Sequence, residues 1–113
     1  MKHIIAIIPP DQLDSVRQTL IDAEIFRVTV ARVTGHGQQE DHDLYRGQEI
    51  TPDLIPKVRL DIVVNDEFVE SAVTAIIEGA KRNGGEVGDG KIFIKSLEEV
   101  IRIRTGERGN AAI

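Results

Sequence analysis

Two basic clusters near the end of the chain have the residue types and spacing to bind a small polyanion. The first is the glycine-rich run Gly88-Asp89-Gly90-Lys91, and the second is Arg102-Ile103-Arg104. Backbone N–H groups of glycine approach an anion closely because no Cβ intervenes. Arginines at positions i and i+2 of a strand lie on one face and add positive charge to the same place. Since the chain has a net charge of −5, concentrated cations favour a specific small anion over a general nucleic-acid surface.

Each cluster also has an ordinary structural explanation, which the sequence alone leaves open. The glycine run is typical of a turn between a helix and a strand, and the arginine pair is typical of a half-exposed strand. Residues 85–91 match the first part of the P-loop of NTPases, but Ile92 stands where that motif needs Ser or Thr for magnesium. The loop also follows a helix and precedes a strand, which is the reverse of a P-loop. We therefore exclude a P-loop NTPase and favour phosphate binding by the two clusters together.

The composition indicates a single domain, residues 1–113, with an aliphatic core. Hydrophobic residues make up 41% of the chain and aromatic residues only 4%. The absence of cysteine excludes disulfides and thiolate chemistry and fits a cytoplasmic protein. The apolar run Ile4–Ile8 is too short to cross a bilayer, and the acidic balance argues against nucleic-acid binding. The histidines lack metal-ligand spacing and no nucleophile elbow is present, so we expect no catalytic residues and no enzyme.

The hydrophobic pattern predicts the element order β-α-β, long loop, β-α-β. Strands are predicted at about 4–8, 26–35, 57–64, 91–95 and 100–104. Helices are predicted over about 11–24 and from Asn65 or Asp66 to the glycines at 84 and 85. The second helix has an apolar face of Phe68, Val69, Ala72, Val73, Ile76, Ile77 and Ala80. Ser96–Glu99 predicts a capping box that opens one helical turn.

This order is typical of an α+β, ferredoxin-like βαββαβ fold, with an antiparallel sheet and two helices on one face. A second layer or a partner subunit must cover the other face. The loop 36–55 between the middle strands is far longer than the usual hairpin of about two to five residues. It is acidic and poor in apolar residues, so we expect it to be mobile until something binds it. The polar tail, 105–113, is expected to be loose.

Four motifs resemble those of the PII signal-transduction proteins. They are Leu44-Tyr45-Arg46-Gly47, Pro56-Lys57-Val58, Val87-Gly88-Asp89-Gly90-Lys91-Ile92-Phe93 and Ile101-Arg102-Ile103-Arg104-Thr105-Gly106-Glu107. The resemblance covers nearly the whole chain, and the element order agrees with it. It implies a homotrimer of ferredoxin-like subunits, which would cover the open sheet face. It also implies a non-enzymatic regulator that binds ATP or ADP in the clefts between subunits, with 2-oxoglutarate beside MgATP.

The resemblance further implies a role for individual residues. In the phosphate-binding loop, 84–91, it places Gly88, Asp89, Gly90 and Lys91 at the phosphates, and Val87 also belongs to the implied nucleotide site. Arg102 and Arg104 would reach the phosphates from the same cleft. The residues implied to line the rest of the nucleotide site are Ile7, Gly35, Gly37, Gln38 and Val63, with Thr29 and Asp61 near the adenine. Gln39 would contact magnesium and 2-oxoglutarate, and Lys57 would pair with the distal carboxylate of that acid.

By the same resemblance, 36–55 is the T-loop, which docks onto ammonium transporters or nitrogen-assimilation enzymes. Tyr45, Arg46 and Gly47 would contact the partner. Ile50 stands where many members carry the uridylylated tyrosine, and Gln48 where some carry a phosphorylated serine, so neither modification is available at these positions. Glu40-Asp41 replaces the usual Lys-Gly, and acids beside an anionic ligand weaken its binding. The resemblance therefore supports nucleotide binding more strongly than 2-oxoglutarate binding.

Two other functions remain as alternatives. The departures in the loop suit a PII-like paralogue that senses a different effector and regulates a different transporter or enzyme. A slow ATPase is disfavoured because, apart from carboxylates near the phosphates, the sequence offers no evident base to activate water.

Overall fold

The computed structural model describes residues 1–36 and 54–113, and between these ranges only the backbone pairing of two short strands. In chain order the elements are β1 (Lys2–Ile8), α1 (Leu13–Asp22), β2 (Thr29–Gly35), β3 (Leu44–Tyr45), β4 (Gln48–Glu49), β5 (Ile55–Val64), α2 (Val69–Ala80) and β6 (Lys91–Ser96). Four strands form one antiparallel sheet in the order β2-β5-β1-β6, and β3 pairs with β4. This topology confirms the predicted α+β, ferredoxin-like fold.

Both helices pack on one face of the sheet and bury an aliphatic core. Alternate residues of each strand point toward the helices, as the two-residue period of a strand requires. The strand residues that are at most 1% exposed are Ile4, Ala6, Ile8, Val58, Leu60 and Ile62. Val16 and Leu20 of α1 and Ile76 of α2 are buried against them. The low aromatic content of the sequence correctly indicated an aliphatic core.

The two helices approach each other most closely at Gly79. A Cβ on Gly79 would lie 2.6 Å from the Cα of Val16, so only glycine allows this distance between the helix backbones. The side chains of Gln12 and Thr19 donate hydrogen bonds across the interface to the carbonyls of Gly79 and Ala75, at 3.1 and 2.6 Å. This contact sets how closely α1 and α2 pack against each other.

The bounds of α2 differ from the prediction at both ends. A 3₁₀ turn, Asp66–Phe68, precedes the helix, and its tighter winding leaves Phe68 50% exposed rather than on the core face. Ile77 is 44% exposed as well. The helix ends at Ala80 because Lys81 has extended backbone angles, so the glycines at 84 and 85 lie in the loop beyond it. The residues of α2 that are buried are Ala72, Ala75, Ile76, Gly79 and Ala80.

The segment after β6 does not have the predicted structure. Residues 96–99 form no helical turn, and residues 100–104 form no strand. Ser96 already pairs with Lys2 at the start of β1, so β1 offers no further partner for a continuing strand. Instead the chain turns back on itself, with Ile101 bridging to Arg108 and the N–H of Gly106 donating to the carbonyl of Arg102 at 2.7 Å.

The tail is ordered, contrary to the expectation of a loose segment. Gly109–Ala112 form a 3₁₀ turn, and Ala112 is only 8% exposed. The guanidinium of Arg102 donates to the carbonyl of Ala111 at 3.0 Å, and the side-chain amide of Asn65 donates to the carbonyl of Asn110 at 3.4 Å. Side chains from two other segments therefore hold a tail that is polar in sequence.

No element among residues 1–36 and 54–113 covers the face of the sheet opposite the helices. Ile5 and Phe93 are paired in register on that face, and Phe93 is 49% exposed. Asp61 pairs with both Ile5 and Thr29 in the same row. An apolar and charged surface of this kind is available for contact with another molecule. None of the helices in the described ranges has the length and apolar character needed to span a membrane.

Candidate functional site

A cleft of about 560 Å³ lies where β1, β5 and β6 meet the loop that follows α2. Residues from four parts of the chain line it: Ile7, Gly35, His36, Lys57, residues 86–91 and Phe93. The structure thus brings together the following residues that the sequence predicted for the nucleotide site: Ile7, Gly35, Lys57, Val87, Gly88, Asp89, Gly90 and Lys91. Because Gly35 precedes the loop 36–55 and His36 is its first residue, the base of that loop borders the cleft.

The glycine run is seated against β1 by a contact that only glycine allows. Gly90 has φ +116°, and a Cβ on it would overlap the carbonyl oxygen of Ile7. Gly88 also has a positive φ, of +98°. Both conformations are accessible to glycine at little cost and are unfavourable for other residues. The run therefore passes against the C-terminal end of β1 and ends in Lys91, the first residue of β6.

The carboxylate of Asp89 is turned into its own loop and so cannot face a ligand. Its Oδ1 accepts from Nε of Arg82 at 2.9 Å, and its Oδ2 accepts from the backbone N–H groups of Glu86 and Arg82 at 2.7 and 3.2 Å. Burial raises the pKa of Asp89, but the N–H of Glu86 and the guanidinium of Arg82 outweigh burial and hold this pKa below its usual value. Only the backbone of Asp89 is left to contact an anion.

Two lysines supply positive charge to the cleft. Lys91 ends the glycine run, and Lys57 enters from β5. Burial, and after it the neighbouring charge of Arg82, lowers the pKa of Lys57 below its ordinary value, with Asp11 opposing them. Arg82 is thus close enough for its charge to act on a residue that lines the cleft. An anion bound there would relieve the repulsion between these cations.

Arg102 and Arg104 do not line this cleft, and the prediction that they share one face of a strand is wrong. Arg102 pairs with Glu107, with NH1 2.6 Å from the carboxylate oxygen, inside the C-terminal turn. Ile103, between the two arginines, is fully exposed at 100%. A side chain this exposed is not packed against a strand partner, as a residue of a half-buried strand would be.

Thr29, Asp61 and Val63 lie on the open face of the sheet rather than in the cleft. Asp61 is bound there by Arg59, whose Nε and NH2 donate at 3.0 and 3.1 Å, and by Nε2 of His3 at 2.7 Å. The hydrogen bonds from Arg59 lower the pKa of Asp61, burial opposes this shift, and the hydrogen bond with His3 adds to it. A charged cluster thus lies on the same face of the sheet as Ile5 and Phe93.

The comparisons with known proteins agree over the full length of the chain. The family model described as nitrogen regulatory protein P-II matches residues 1–107. Nitrogen regulatory protein GlnK1 of Methanosarcina mazei is 47% identical over all of this chain and 97% of its own. The nitrogen regulatory proteins P-II of Pasteurella multocida and Haemophilus influenzae are 51% and 49% identical, and the match covers all of both chains in each case. The chain belongs to the P-II family.

Membership of the P-II family confirms the resemblance found in the motifs. It supports a role in nitrogen-regulation signalling, since P-II proteins are regulators rather than enzymes. Within the described part of the chain, no group of three or more His, Cys, Asp or Glu side chains is arranged to hold a metal ion. The predicted site residues Gly37, Gln38, Gln39, Tyr45, Arg46 and Gly47 lie outside the residues whose side chains the structure describes.

The sequence did not point to every residue that shapes the cleft or the charged cluster on the open sheet face. Arg82 was missed because its contact with Asp89 depends on how the loop between them folds, and no periodicity reports that. Arg59 could have been found. It stands two residues before Asp61, and opposite charges at that spacing on a strand share a face. His3 joins this pair only through the pairing of β1 with β5.

Proposed function

We propose that this P-II protein is a non-enzymatic signal-transduction regulator that binds ATP and ADP and controls nitrogen-metabolism targets through the loop 36–55. The observation that carries the proposal is the cleft, where the glycine run, Lys91 and Lys57 border one space of about 560 Å³. That volume is within the range of small-molecule sites. A polyphosphate needs several fixed cations and N–H donors, and charge-assisted hydrogen bonds are the strong ones.

The open sheet face supports a homotrimer in which each cleft is completed by a neighbour. Phe93 is 49% exposed on this face, and a second copy would bury it. Several residues that the family resemblance assigns to the nucleotide do not line the cleft of their own chain: Thr29, Asp61, Val63, Arg102 and Arg104. In a symmetric oligomer such residues can reach the cleft of the adjacent subunit. Arg102 and Arg104 would then add their charge to phosphates held by Lys91.

The bound ligand would affect partner binding by changing the conformation of the loop at its base. Gly35 and His36 border the cleft and lead directly into residues 37–53. Under this proposal, ATP with magnesium and 2-oxoglutarate would engage Gln39 and Lys57, whereas ADP would not, and the two states would favour different loop conformations. The target would be an ammonium transporter or a nitrogen-assimilation enzyme. Tyr45, Arg46 and Gly47 would contact it, with Arg46 as the inserted anchor.

Glu86 supports one alternative, a P-II paralogue that senses a different effector and regulates a different transporter or enzyme. Glu86 borders the cleft beside the glycine run. It also accepts a hydrogen bond from the amide of Asn83 at 2.8 Å. A carboxylate in that position repels a highly charged phosphate tail. A ligand with less negative charge than MgATP would suffer less from this repulsion.

Titration calorimetry with ATP, ADP, AMP and 2-oxoglutarate, with and without magnesium, tests the proposal, and light scattering gives the oligomeric state. We expect a trimer that binds ATP and ADP, with 2-oxoglutarate binding only beside MgATP. Lys91→Gln should weaken ATP binding, whereas Lys95→Gln, four residues further along β6 and outside the cleft, should not. Preference for AMP, or no response to 2-oxoglutarate, would favour the paralogue. A monomer that millimolar adenine nucleotides do not stabilise thermally would contradict the proposal.

Two further variants test whether the loop binds the partner and whether the protein hydrolyses ATP. Arg46→Ala should abolish capture of the partner and leave nucleotide affinity intact, and retained capture would contradict the role of the loop. Slow hydrolysis of ATP that follows the protein through purification and disappears in Lys91→Ala would show an enzyme instead.

A further inference from the structure

The loop that carries the glycine run is closed by a clamp between its two ends. Arg82, two residues after α2, and Asp89, one residue before Gly90, are joined by a side-chain ion pair of 2.9 Å. The same carboxylate of Asp89 caps the N–H groups of Arg82 and Glu86. The side chain of Asp89 is only 17% exposed, so this pair is better shielded from water than most surface ion pairs.

This loop has a backbone that needs such a clamp. Five of its residues have positive φ: Asn83, Gly84, Gly85, Gly88 and Gly90. Glycine loses more conformational freedom on ordering than any other residue, so a free loop of this composition would populate many conformations. Two backbone hydrogen bonds, from Gly85 to Arg82 at 2.7 Å and from Asp89 to Glu86 at 3.2 Å, fold the loop into successive turns. The Asp89 carboxylate ties the two turns together.

We propose that Arg82 is a positioning residue, which holds Gly88–Lys91 in their anion-binding conformation through Asp89 before any ligand arrives. This inference rests on the proposed function, because it concerns the phosphate end of the same cleft. When the loop is already ordered in the free protein, its conformational entropy is not lost on binding. Preorganisation of this kind raises affinity. Arg82 thus acts on the ligand through Asp89 and the backbone, without contacting the phosphates itself.

The test compares Arg82→Gln, Asp89→Asn and the double variant with the full-length protein. Each single change should weaken ATP binding by about tenfold, the size expected for one lost charge-assisted hydrogen bond. The double variant should bind no more weakly than either single variant, because both remove the same clamp. AMP, with one phosphate, should lose less affinity than ATP. Amide hydrogen exchange at residues 84–90 should quicken in the ligand-free variants while the rest of the sheet is unchanged.

Arg17→Gln is the matched control, because Arg17 makes an exposed pair with Asp14 on α1, at 3.8 Å. It should leave both ATP binding and exchange unchanged. If Arg82→Gln weakens ATP binding while Asp89→Asn strengthens it, Arg82 binds the phosphates directly and the clamp is overturned. Unchanged hydrogen exchange in both single variants overturns it as well. If the wild-type protein binds no adenine nucleotide, the proposed function fails, and the exchange measurement still decides whether the clamp orders the loop.

Discussion

The carbonyl oxygen of Ile7 occupies the space that a side chain on Gly90 would need. Ile7 lies in β1 at the centre of the sheet, and Gly90 ends the loop that borders the candidate nucleotide cleft. Because β1 is a central strand, this contact restricts the conformations of a loop made largely of glycine and charged residues. The glycine run therefore has one defined conformation, because its last residues pack against the sheet.

Gly90→Ala should disable the cleft. The new Cβ would overlap the backbone of Ile7, and alanine at φ +116° is strained in addition. Residues held in such backbone regions cost on the order of 1–3 kcal/mol before any overlap is counted. We expect a lower melting temperature and loss of ATP binding, measured by thermal shift and calorimetry.

Gly84→Ala is the control for that experiment. Gly84 has a positive φ of +80°, but a Cβ on it would meet nothing within 4 Å. The Gly84→Ala variant should lose only the stability that alanine costs at a positive φ, and it should keep most of its ATP affinity. Equal losses in the two variants would show that the contact with Ile7 is unimportant.

Asp61→Asn should change stability in a way that depends on pH. Hydrogen bonds from Arg59 hold the pKa of Asp61 below the ordinary value of about 3.9, against burial and with help from His3. A lowered folded-state pKa contributes stability that is complete above the ordinary value and disappears as the pH falls through the folded value. The free energy of unfolding of the wild type should therefore exceed that of the variant most at neutral pH, and the difference should shrink in acid.

Denaturant unfolding between neutral pH and about pH 3 measures that difference. Asp14→Asn, at a carboxylate on α1 that is 97% exposed, should change stability little at any pH. A difference between wild type and Asp61→Asn that stays constant into acid would show that the charge of Asp61 is not what stabilises the fold.

The arrangement of strands and helices was predictable from the sequence because hydrophobic periodicity reports which faces are buried. Val58, Leu60 and Ile62 alternate with polar residues and lie in the core as expected. The same signal failed at Ile101 and Ile103, which also alternate but are exposed in a turn. Alternation shows that a segment has two different faces, and it does not show whether a partner strand exists. The pairing of β6 with β1 ends at Ser96 and Lys2, five residues before Ile101.

The candidate site was predictable where backbone geometry is specified by residue type. The run around Gly88 and Gly90 was identified because glycine is the residue that adopts positive φ at low cost, and both have it. The clamp between Arg82 and Asp89 was not predictable, since it depends on the path of the six residues between them, which have no periodic pattern. The placement of Arg102 was missed for the same reason, because its partners Glu107 and Ala111 become neighbours only when the chain turns back.

Gly79→Ala should destabilise the fold without altering the cleft. The Cβ would approach Cα of Val16 and Oγ1 of Thr19 to 2.6 Å, so α1 and α2 must move apart. Overpacking of this kind costs about 1–3 kcal/mol. Chemical denaturation should show the loss, while ATP affinity at temperatures where the protein is folded stays unchanged. Ser71→Ala, on an exposed position of the same helix, controls for substitution in α2. A loss of ATP affinity as large as that of Gly90→Ala would show that the helix pair positions the site.

Phe93→Glu should separate the subunits of the trimer proposed for this P-II protein. Phe93 is 49% exposed on the open sheet face beside Ile5, and in the proposed trimer that face is buried. A carboxylate buried there without a partner costs several kcal/mol, so the variant should be monomeric by light scattering. Phe26→Glu changes a phenylalanine that is 68% exposed at the α1 side of the chain and should remain trimeric. A Phe93→Glu protein that stays trimeric would show that the subunits do not meet through the sheet, and Arg102 and Arg104 would then need another route to the phosphates.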